Sequence, residues 1–328
     1  MKAVLMSGFG GIEVLHIAEH PDPVVKEDEL LVRIRATALN RADLLQRRGK
    51  HPPPKGVPDI LGLEMAGEVS EVGAACEGWA PGDRVCALLP GGGYAELVSI
   101  PAGLAMRFPE NLSFEQAAAI PEVFLTAYQN LFNVARLASG QTVLIHAGGS
   151  GVGTAAIQLV RESGGIPVVT AGSTEKLARC MALGARAAWN YKDGPFGPWL
   201  AEQTGGRGVD VVLDFVGAPY FEQNLEALAV DGTLVVIGTL GGADVGRFSL
   251  RTLMSKRLRI AGAGLRSMDT ARKIRLTRHF AEFALPRFAD DRLVPVVDSV
   301  FDWKDVGEAH LRMEANANTG KIVVRVTG

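Results

Sequence analysis

The sequence predicts a two-domain α/β protein, in which a β-rich, barrel-like region is joined to a doubly wound parallel sheet. Two observations lead to this fold class. Short β-like runs separated by Gly and Pro turn signals occupy residues 1–120, and apolar runs alternate with helical patterns from residue 143 onward. A length of 328 residues also exceeds one ordinary core and fits two domains.

The predicted elements follow this division along the chain. In the first region, β-like runs lie at residues 30–36, 66–72, 84–89 and 94–100. In the second, we expect parallel strands at residues 143–145, 166–170, 187–190, 209–215, 233–237 and 258–261, and helices at 126–137 and 174–183. Ser173 is the predicted N-cap of the second helix. A lone strand at 322–326 is expected to return to the first domain. The predicted domains are residues 1–121 with 266–328, and residues 122–265.

The segment VLIHAGGSGVGTAAIQLV, at residues 143–160, is the most informative motif. An apolar run ends in small residues and opens directly into an Ala-rich helical pattern, which is typical of the start of a dinucleotide-binding unit. Glycines allow the tight turn, and free N–H groups at the helix start can hold a pyrophosphate. Ser150 replaces the middle glycine of the usual G-x-G-x-x-G pattern. The predicted turn comprises Gly148, Gly149, Ser150, Gly151, Val152 and Gly153.

The end of the second parallel strand predicts which dinucleotide binds. Proteins that prefer NAD usually carry an acid there, which holds the ribose 2′-hydroxyl. Here the strand ends in residues 171–173, and the first acid is Glu175. Lys176 and Arg179 share one helix face, and Tyr191 can add a phenolic donor. We therefore predict NADPH rather than NADH; the alternative is that both cations are ordinary solvated helix residues.

The composition excludes several other classes of protein. A net charge of −2 provides no basic surface for nucleic acid, and no apolar run reaches the length of a membrane helix. The N-terminus gives way early to polar residues, so we expect a first strand rather than a secretory signal. Three scattered cysteines suit a reducing compartment. We expect a cytoplasmic protein.

Ordered motifs over nearly the whole chain resemble the medium-chain dehydrogenase/reductase superfamily. These motifs are ALNRAD at 38–43, ILGLE at 60–64, LLPGGG at 88–93, AIPE at 119–122, IHAGGSGVG at 145–153 and MEAN at 313–316. Within the superfamily, the chain resembles the zeta-crystallin-like NADPH:quinone oxidoreductases, particularly their tumour-suppressor-inducible branch. The resemblance implies a GroES-like β domain joined to a Rossmann domain, which agrees with the pattern of elements.

The resemblance also implies roles for individual residues. Asn40 would lie near the nicotinamide and its ribose, and Thr126 near the pyrophosphate. Ser173, Lys176 and Tyr191 fall where the 2′-phosphate would bind. The remaining residues implied around the cofactor are Gly217, Gly238, Leu240, Gly264, Leu265, Arg266 and, from the closing segment, Asn318.

His51 is a departure from the family pattern, because many relatives carry a tyrosine at this position. The substitution leaves two interpretations open. His51 can replace the tyrosine as a donor that orients the substrate together with Asn40, or it is an exposed loop histidine beside prolines.

The same superfamily includes zinc enzymes, so the sequence must be compared with their metal ligands. A catalytic zinc needs about three Cys, His or carboxylate ligands. Asn40 stands where zinc relatives place a cysteine, and their Gly-His-Glu is here Gly62, Leu63 and Glu64. We therefore predict a metal-free protein, with Glu64 as a carboxylate that orders the backbone and Cys86 as a core residue.

These features favour an NADPH-dependent reductase of quinones, because a quinone accepts hydride without a metal to polarise it. One alternative is an NADPH-dependent reductase of enones or enoyl thioesters. A third hypothesis is a low-turnover NADPH-binding protein with a structural or redox-sensing role. The expected partner is a small electron-poor acceptor, and the resemblance implies a homodimer, formed through edge strands near residues 258–263.

Three other features have simpler structural interpretations. We expect His146 to be a packed residue at a strand end. His310 is predicted to lie at the surface or at the joint between domains. The basic cluster Arg272, Lys273, Arg275 and Arg278 is expected to form a solvated helix side.

Overall fold

The computed structural model describes residues 1–53 and 56–327, so Gly328, the last residue of the predicted first domain, lies outside it. The strands are β1 (Lys2–Met6), β2 (Leu15–Glu19), β3 (Glu29–Ala38), β4 (Glu64–Val72), β5 (Arg84–Leu88), β6 (Leu97–Pro101), β7 (Ala105–Arg107), β8 (Thr142–Ile145), β9 (Ile166–Ala171), β10 (Ala187–Asn190), β11 (Val209–Asp214), β12 (Leu228–Val236), β13 (Arg259–Gly262), β14 (Val297–Asp302) and β15 (Lys321–Arg325). The helices are α1 (Arg41–Arg47), α2 (Phe114–Ala118), α3 (Pro121–Tyr128), α4 (Gly151–Glu162), α5 (Thr174–Ala182), α6 (Phe196–Gln203), α7 (Phe221–Ala227), α8 (Leu250–Ser255), α9 (Thr270–Ala289) and α10 (Val306–Glu314).

The chain divides into two compact units. The discontinuous unit comprises Met1–Leu125 and Arg266–Gly328, and the inserted unit comprises Thr126–Leu265. No helix in the described ranges combines the length and the apolar character needed to span a membrane.

The discontinuous unit is built on a sheet with the order β14-β15-β3-β4-β5-β7, and β6 also pairs with β3. Only β14 and β15 run parallel within it; the other neighbours are antiparallel. On β3, Leu30, Val32 and Ile34 are buried and alternate with exposed Arg33 and Arg35, as a sheet with one solvated face requires. The strand predicted to return to this unit is β15, and its position confirms that prediction.

The inserted unit contains a parallel sheet with the order β10-β9-β8-β11-β12-β13. Strand β8 is buried along its whole length, as expected for a parallel strand covered on both faces. The strand order reverses between β8 and β11, and ligands of such sheets bind beyond the carboxyl ends of the strands at this point. The predicted fold class is confirmed, and the glycine turn follows β8 at this reversal.

The helix predicted over residues 126–137 is only partly correct. Helix α3 begins earlier, at Pro121, and after Tyr128 the chain continues as a π-helix over Gln129–Val134. The side-chain amide of Asn130 donates to the Thr126 carbonyl oxygen at 2.7 Å, which satisfies a carbonyl freed by the wider turn. The apolar pattern indicated a helix, but it could not distinguish the two helical pitches.

Candidate cofactor and substrate site

The glycine turn after β8 leaves no space for a side chain at Gly148 or Gly153. A Cβ on Gly148 would lie 2.9 Å from Val169 Cβ, and one on Gly153 would lie 2.7 Å from the Gly148 carbonyl oxygen. Ala147 itself adopts a left-handed conformation, with φ of 50°. Small residues are therefore required for helix α4 to approach the turn this closely.

Ser150, which replaces the usual middle glycine of the motif, has a structural role of its own. It is the N-cap of α4, and its Oγ accepts a hydrogen bond from the Gly153 N–H at 3.0 Å. Gly151 and Val152 begin the helix, and N–H groups at such positions have no acceptor within the helix. Together with the helix dipole, they form a suitable site for the negative charge of a pyrophosphate.

The three residues predicted for the 2′-phosphate surround the end of β9. Ser173 caps α5, with its Oγ accepting from the Lys176 N–H at 3.3 Å, as the sequence predicts. The methylene stem of Lys176 packs on Gly149, since a Cβ there would lie 3.0 Å from Lys176 Cδ. The Tyr191 hydroxyl lies so close to Gly172 that any side chain at residue 172 would displace it. The structure thus brings Ser173, Lys176 and Tyr191 together beside the glycine turn.

Glu175 is an acid at the edge of this site, and no role was predicted for it from the sequence. Its side chain is exposed, and its pKa is lowered by hydrogen bonds from its own backbone N–H and from the Ser173 hydroxyl. Ser173 therefore accepts a hydrogen bond from one neighbour and donates one to another. A phosphate that bound Ser173 would have to compete with the Glu175 carboxylate.

The loops after β11 and β12 contain the next predicted cofactor residues. The buried Asp214 carboxylate accepts hydrogen bonds from the N–H groups of Val216, at 2.7 Å, and Gly217, at 3.2 Å. Gly217 has φ of 86° and forms a parallel bridge with Gly242. The Leu240 N–H donates to the Phe215 carbonyl oxygen at 3.1 Å. These bonds fix the backbone at the carboxyl edge of the sheet, and Asp214 is a contributor that the sequence analysis missed.

The other predicted residues of the inserted unit occupy varied environments. Thr126 and Leu265 are buried, whereas the Leu240 side chain is 64% exposed. Gly264 is exposed, and a Cβ on Gly238 would come within 3.3 Å of the Phe215 carbonyl oxygen.

His146 is the packed residue that the sequence predicts. Its ring is fully buried between Thr170 Oγ1 and Asn224 Oδ1, each at 2.8 Å. Burial lowers its pKa to about 4, so the ring is neutral at physiological pH.

The discontinuous unit contains a buried ionic cluster around Asn40. The Lys321 ammonium lies 2.7 Å from Glu64 Oε1 and donates to Asn40 Oδ1 at 2.7 Å. The amide of Asn40 in turn donates to Glu64 Oε1 at 2.8 Å, and Glu64 Oε2 accepts from the Glu122 N–H at 2.8 Å. Glu64 is fully buried and orders the backbone, as predicted, but its partner Lys321 was not foreseen.

This cluster does not suit a zinc ion. Its positive charge is the Lys321 ammonium, which already neutralises the Glu64 carboxylate. Cys86 is a buried core residue of β5, as predicted, and burial raises the pKa of its thiol above the usual range. Within residues 1–53 and 56–327, no group of three or more His, Cys, Asp or Glu side chains could hold a metal. The metal-free state remains a prediction.

A chain of hydrogen bonds connects Asn40 to the interior of the same unit. The Asp43 carboxylate accepts from the Asn40 N–H at 2.7 Å and from the Tyr94 hydroxyl at 3.4 Å. Tyr94 Oη is 3.2 Å from His310 Nε2, and Arg47 Nη1 donates to His310 Nδ1 at 3.1 Å. Burial raises the pKa of Asp43 to about 6, although hydrogen bonds from the Asn40 and Gly62 backbones oppose the shift.

His310 was predicted at the surface or at a domain joint, and this prediction is wrong. The ring is fully buried, and burial together with the neighbouring Arg47 lowers its pKa to about 3. Because Arg47 donates to Nδ1, the proton of the neutral ring lies on Nε2 and points at Tyr94. The polar identity of residue 310 suggested exposure, but a buried partner on another element satisfies it.

The basic cluster on α9 was also only partly predicted. Arg272, Arg275 and Arg278 are exposed, but Lys273 is buried, and its ammonium donates to the Arg266 carbonyl oxygen at 3.0 Å. Burial lowers the pKa of Lys273. The long lysine stem allows the charge to reach a backbone acceptor from a helix position that faces the core.

The last predicted residues of this unit are His51 and Asn318. His51 is half-buried, and burial and the nearby Arg266 lower its pKa. The Asn318 amide donates to the Gly320 carbonyl oxygen at 2.7 Å, so one of its donors is used within its own turn. Phe124 packs edge-on against Phe288, with ring centroids 5.0 Å apart, and is a core residue.

Comparison with known proteins places this architecture in a family. The alcohol dehydrogenase GroES-like domain matches residues 26–110, and the zinc-binding dehydrogenase family matches residues 151–280. The synaptic vesicle membrane protein VAT-1 homolog-like of Mus musculus is 30% identical, over 99% of this chain and 81% of its own length. The chain belongs to the medium-chain dehydrogenase/reductase superfamily.

Other members of the superfamily share both sequence and structure with it. The quinone oxidoreductase of Rattus norvegicus is 28% identical, over 99% of this chain and 97% of its own length. An NAD-dependent alcohol dehydrogenase superposes with a TM-score of 0.87 at 34% identity, covering 100% of both chains. A mycobacterial protein complexed with NADPH superposes with a TM-score of 0.88 at 29% identity, covering 99% of this chain and 100% of its own.

A third structure is the CurK enoyl reductase, with a TM-score of 0.86 at 26% identity, covering 99% of each chain. The predicted superfamily is confirmed, and this member of it is an oxidoreductase that uses a nicotinamide cofactor and a small-molecule substrate. The narrower branch named by the resemblance remains a prediction.

Proposed function

We propose that this oxidoreductase reduces quinones with NADPH and needs no metal. The arrangement beside the glycine turn is the main support. Strand β9 ends in Ala171 and Gly172, so no carboxylate stands where an NAD-binding acid would be, and Ser173, Lys176 and Tyr191 lie together beyond it. Similarity to quinone oxidoreductases supports the choice of acceptor.

The residues of this chain have three tasks in the proposed reaction. When bound, NADPH supplies hydride and leaves as NADP⁺. The N–H groups at the start of α4 hold its pyrophosphate, and Lys176 attracts its 2′-phosphate. Asn40, fixed by Glu64 and Lys321, orients the groups near it. The quinone gains two electrons and one proton as hydride, and a further proton from solvent completes the hydroquinone.

Reduction of an enone or enoyl thioester is the second candidate. Likeness to the CurK enoyl reductase favours it. The same cofactor site would serve, but the substrate carbon next to the carbonyl would have to be protonated. The absence of the family tyrosine weakens this candidate, because burial and Arg266 lower the pKa of His51, and a neutral imidazole is a poor proton donor.

A panel of acceptors separates these functions. NADPH oxidation is followed with 1,2- and 1,4-quinones, short enals and an enoyl-CoA, with and without a chelator. The proposal predicts turnover with quinones that a chelator leaves unchanged. Turnover only with enoyl substrates would establish the second candidate. Tight NADPH binding without oxidation by any acceptor would indicate the low-turnover binding protein.

The cofactor preference is tested by charge changes around the 2′-phosphate site. Lys176→Ala should weaken NADPH by about 10- to 100-fold and NADH little, since one charge-assisted hydrogen bond is lost. Glu175→Gln should tighten NADPH several-fold, because the competing carboxylate is removed. Fluorescence titration measures both, and Arg251→Ala, an exposed residue of α8, is the matched control. Equal losses for NADPH and NADH in Lys176→Ala would contradict the assignment.

We also propose a homodimer formed through the edge strand β13. This strand pairs with β12 on one side, and Ile260 on it is 40% exposed. An unpaired edge can extend the sheet by pairing with a second copy. Ile260→Lys should shift the sedimentation mass from dimer to monomer, while Met254→Lys on α8 should not. A monomeric wild-type protein would refute the proposal.

A further inference from the structure

Arg266 is a half-buried cation, and two of its buried side-chain nitrogens are unused hydrogen-bond donors. Its Nη2 donates to Gln46 Oε1 at 2.8 Å and to the Pro90 carbonyl oxygen at 3.2 Å. The other two nitrogens, Nε and Nη1, are buried and have no hydrogen-bond partner among the described residues. Native proteins satisfy nearly all such groups, so two orphaned donors on one guanidinium indicate that a ligand completes the site.

The charges around Arg266 do not neutralise it. In residues 1–53 and 56–327, no carboxylate lies within ion-pair distance of its guanidinium, and the nearby Lys273 ammonium adds a second positive charge. Asp43 and Glu122 are the closest acids; Asp43 is occupied by the backbones of Asn40 and Gly62. Buried donors without partners are costly on a cation that has no ion pair, and an anionic oxygen is the ligand that would satisfy them.

Two neighbouring titratable groups, Glu122 and His51, carry little charge at neutral pH. Burial and the Glu64 carboxylate raise the pKa of Glu122 to about 8, so it carries little negative charge. Burial and the Arg266 charge lower the pKa of His51, so its ring is neutral. A ligand at Arg266 therefore meets the Arg266 and Lys273 cations, and Asp43 is the one nearby acid that is mostly ionised among the described residues.

We propose that Arg266 binds the substrate oxygen that becomes negatively charged during reduction. The proposal rests on the proposed function and deepens it by assigning the class of acceptor. Hydride addition to a quinone leaves an oxyanion, and solvent then supplies the proton that completes the hydroquinone. A fixed guanidinium that donates to this oxygen stabilises the developing charge without reorganising. The acceptor is thus a conjugated carbonyl compound whose oxygen takes up the charge.

Three contacts prepare the guanidinium for this task. Gln46 and the Pro90 carbonyl hold one nitrogen, and Lys273 fixes the Arg266 backbone. Gln46 is itself nearly fully buried on α1. The orientation is therefore set before any ligand arrives, which limits the entropy lost on binding.

Binding of 4-nitrophenol tests the proposal without turnover and without NADPH. This phenol ionises near neutral pH, and its absorbance reports whether the bound form is the phenolate. The wild type should bind the phenolate more tightly than the phenol and so lower the pKa of the bound ligand. Arg266→Gln should bind the phenolate about 10- to 100-fold more weakly, and Arg266→Lys should retain part of the preference.

Two further variants keep the test decisive. Gln46→Leu, which frees the guanidinium, should reduce the phenolate preference while the charge remains. Arg278→Gln, an exposed residue of α9, should change nothing. Equal phenolate affinity in the wild type and Arg266→Gln would overturn the proposal, as would loss of NADPH affinity with phenolate binding intact.

The phenolate-binding experiment and the activity panel can fail independently of each other. If phenolate binding depends on Arg266 but no quinone is reduced, the oxyanion site stands and the quinone assignment fails. If quinones are reduced but phenolate binding does not depend on Arg266, the quinone assignment stands and the oxyanion site fails. Quinones and enoyl-CoA in the activity panel then distinguish the two sources of the oxyanion.

Discussion

In the inserted unit, the groups proposed to bind a cofactor are mainly backbone N–H groups and glycines after β8, whereas in the discontinuous unit the proposed groups belong to a cluster of polar and charged side chains. Gly148 and Gly153 act by leaving space, and Ser150 acts as a helix cap. Asn40, Glu64 and Lys321 act by satisfying one another. The first arrangement depends on shape, and the second depends on charge balance.

This difference predicts which property, ligand binding or stability, a mutation in each region should affect. A side chain added to the turn displaces backbone that cannot rotate away, so it should damage binding more than stability. A charge removed from the cluster leaves its partner buried and unpaired, so it should damage stability first. Three variants test this contrast.

Lys321→Met should have the largest effect, a loss of about 3–5 kcal/mol in the free energy of unfolding. The reason is that the fully buried Glu64 loses its only ion-pair partner in the described ranges. Chemical denaturation measures the loss. The double variant Lys321→Met with Glu64→Gln should recover much of it, because the unpaired charge is removed.

Arg257→Met provides the control for the first variant. Its ion pair with Asp231 is exposed on both sides, so the expected change is about 0–1 kcal/mol. Equal losses for Lys321→Met and Arg257→Met would show that the cluster does not depend on charge balance.

Gly153→Ala should lower NADPH affinity by about 10-fold or more, with a stability loss of about 1–3 kcal/mol. The added Cβ would meet the carbonyl oxygens of Ala147 and Gly148, which form the turn itself. Fluorescence titration and thermal unfolding measure the two effects. In helix α6, Gly197→Ala meets nothing within 4 Å and should leave binding unchanged. Normal NADPH affinity in Gly153→Ala would refute the shape argument.

Glu122→Gln should have the smallest effect of all near pH 5, and its effect should increase with pH. Burial, then the Glu64 carboxylate, raise the pKa of Glu122 from 4.5 to about 8. The folded protein therefore retains a proton that the unfolded chain releases between these values, so wild-type stability falls as pH rises through this window. Gln does not titrate. The variant should match the wild type near pH 5 and melt several degrees higher near pH 9.

A parallel pH series with Glu110→Gln, an exposed residue of the same unit, controls for general charge effects. The prediction fails if the difference in melting temperature between Glu122→Gln and the wild type stays constant with pH.

The contrast between the two regions also explains what the sequence could predict. The glycine turn, its helix and the Ser173 cap are encoded by neighbouring residues, and each was recognised from local spacing. The ionic cluster joins residues from β4, β15 and the segment before α1, and no spacing rule connects them. Lys321 therefore remained unassigned, although Glu64 was correctly expected to order the backbone as a carboxylate.

The wrong predictions have the same origin. Lys273 was assigned to the surface, and His310 to the surface or the joint between domains, because polar residues on amphipathic helices are usually exposed. Their buried partners, Arg47 and the Arg266 carbonyl, are distant in sequence. The π-helix over Gln129–Val134 was missed because apolar periodicity identifies a helix and not its pitch.

The position of Lys321 on β15 has a consequence for biosynthesis. Strands β3 and β4 leave the ribosome early, but the cation that neutralises Glu64 is translated only after the whole inserted unit. The ionic cluster of the discontinuous unit can therefore be completed only after the inserted unit has been synthesised.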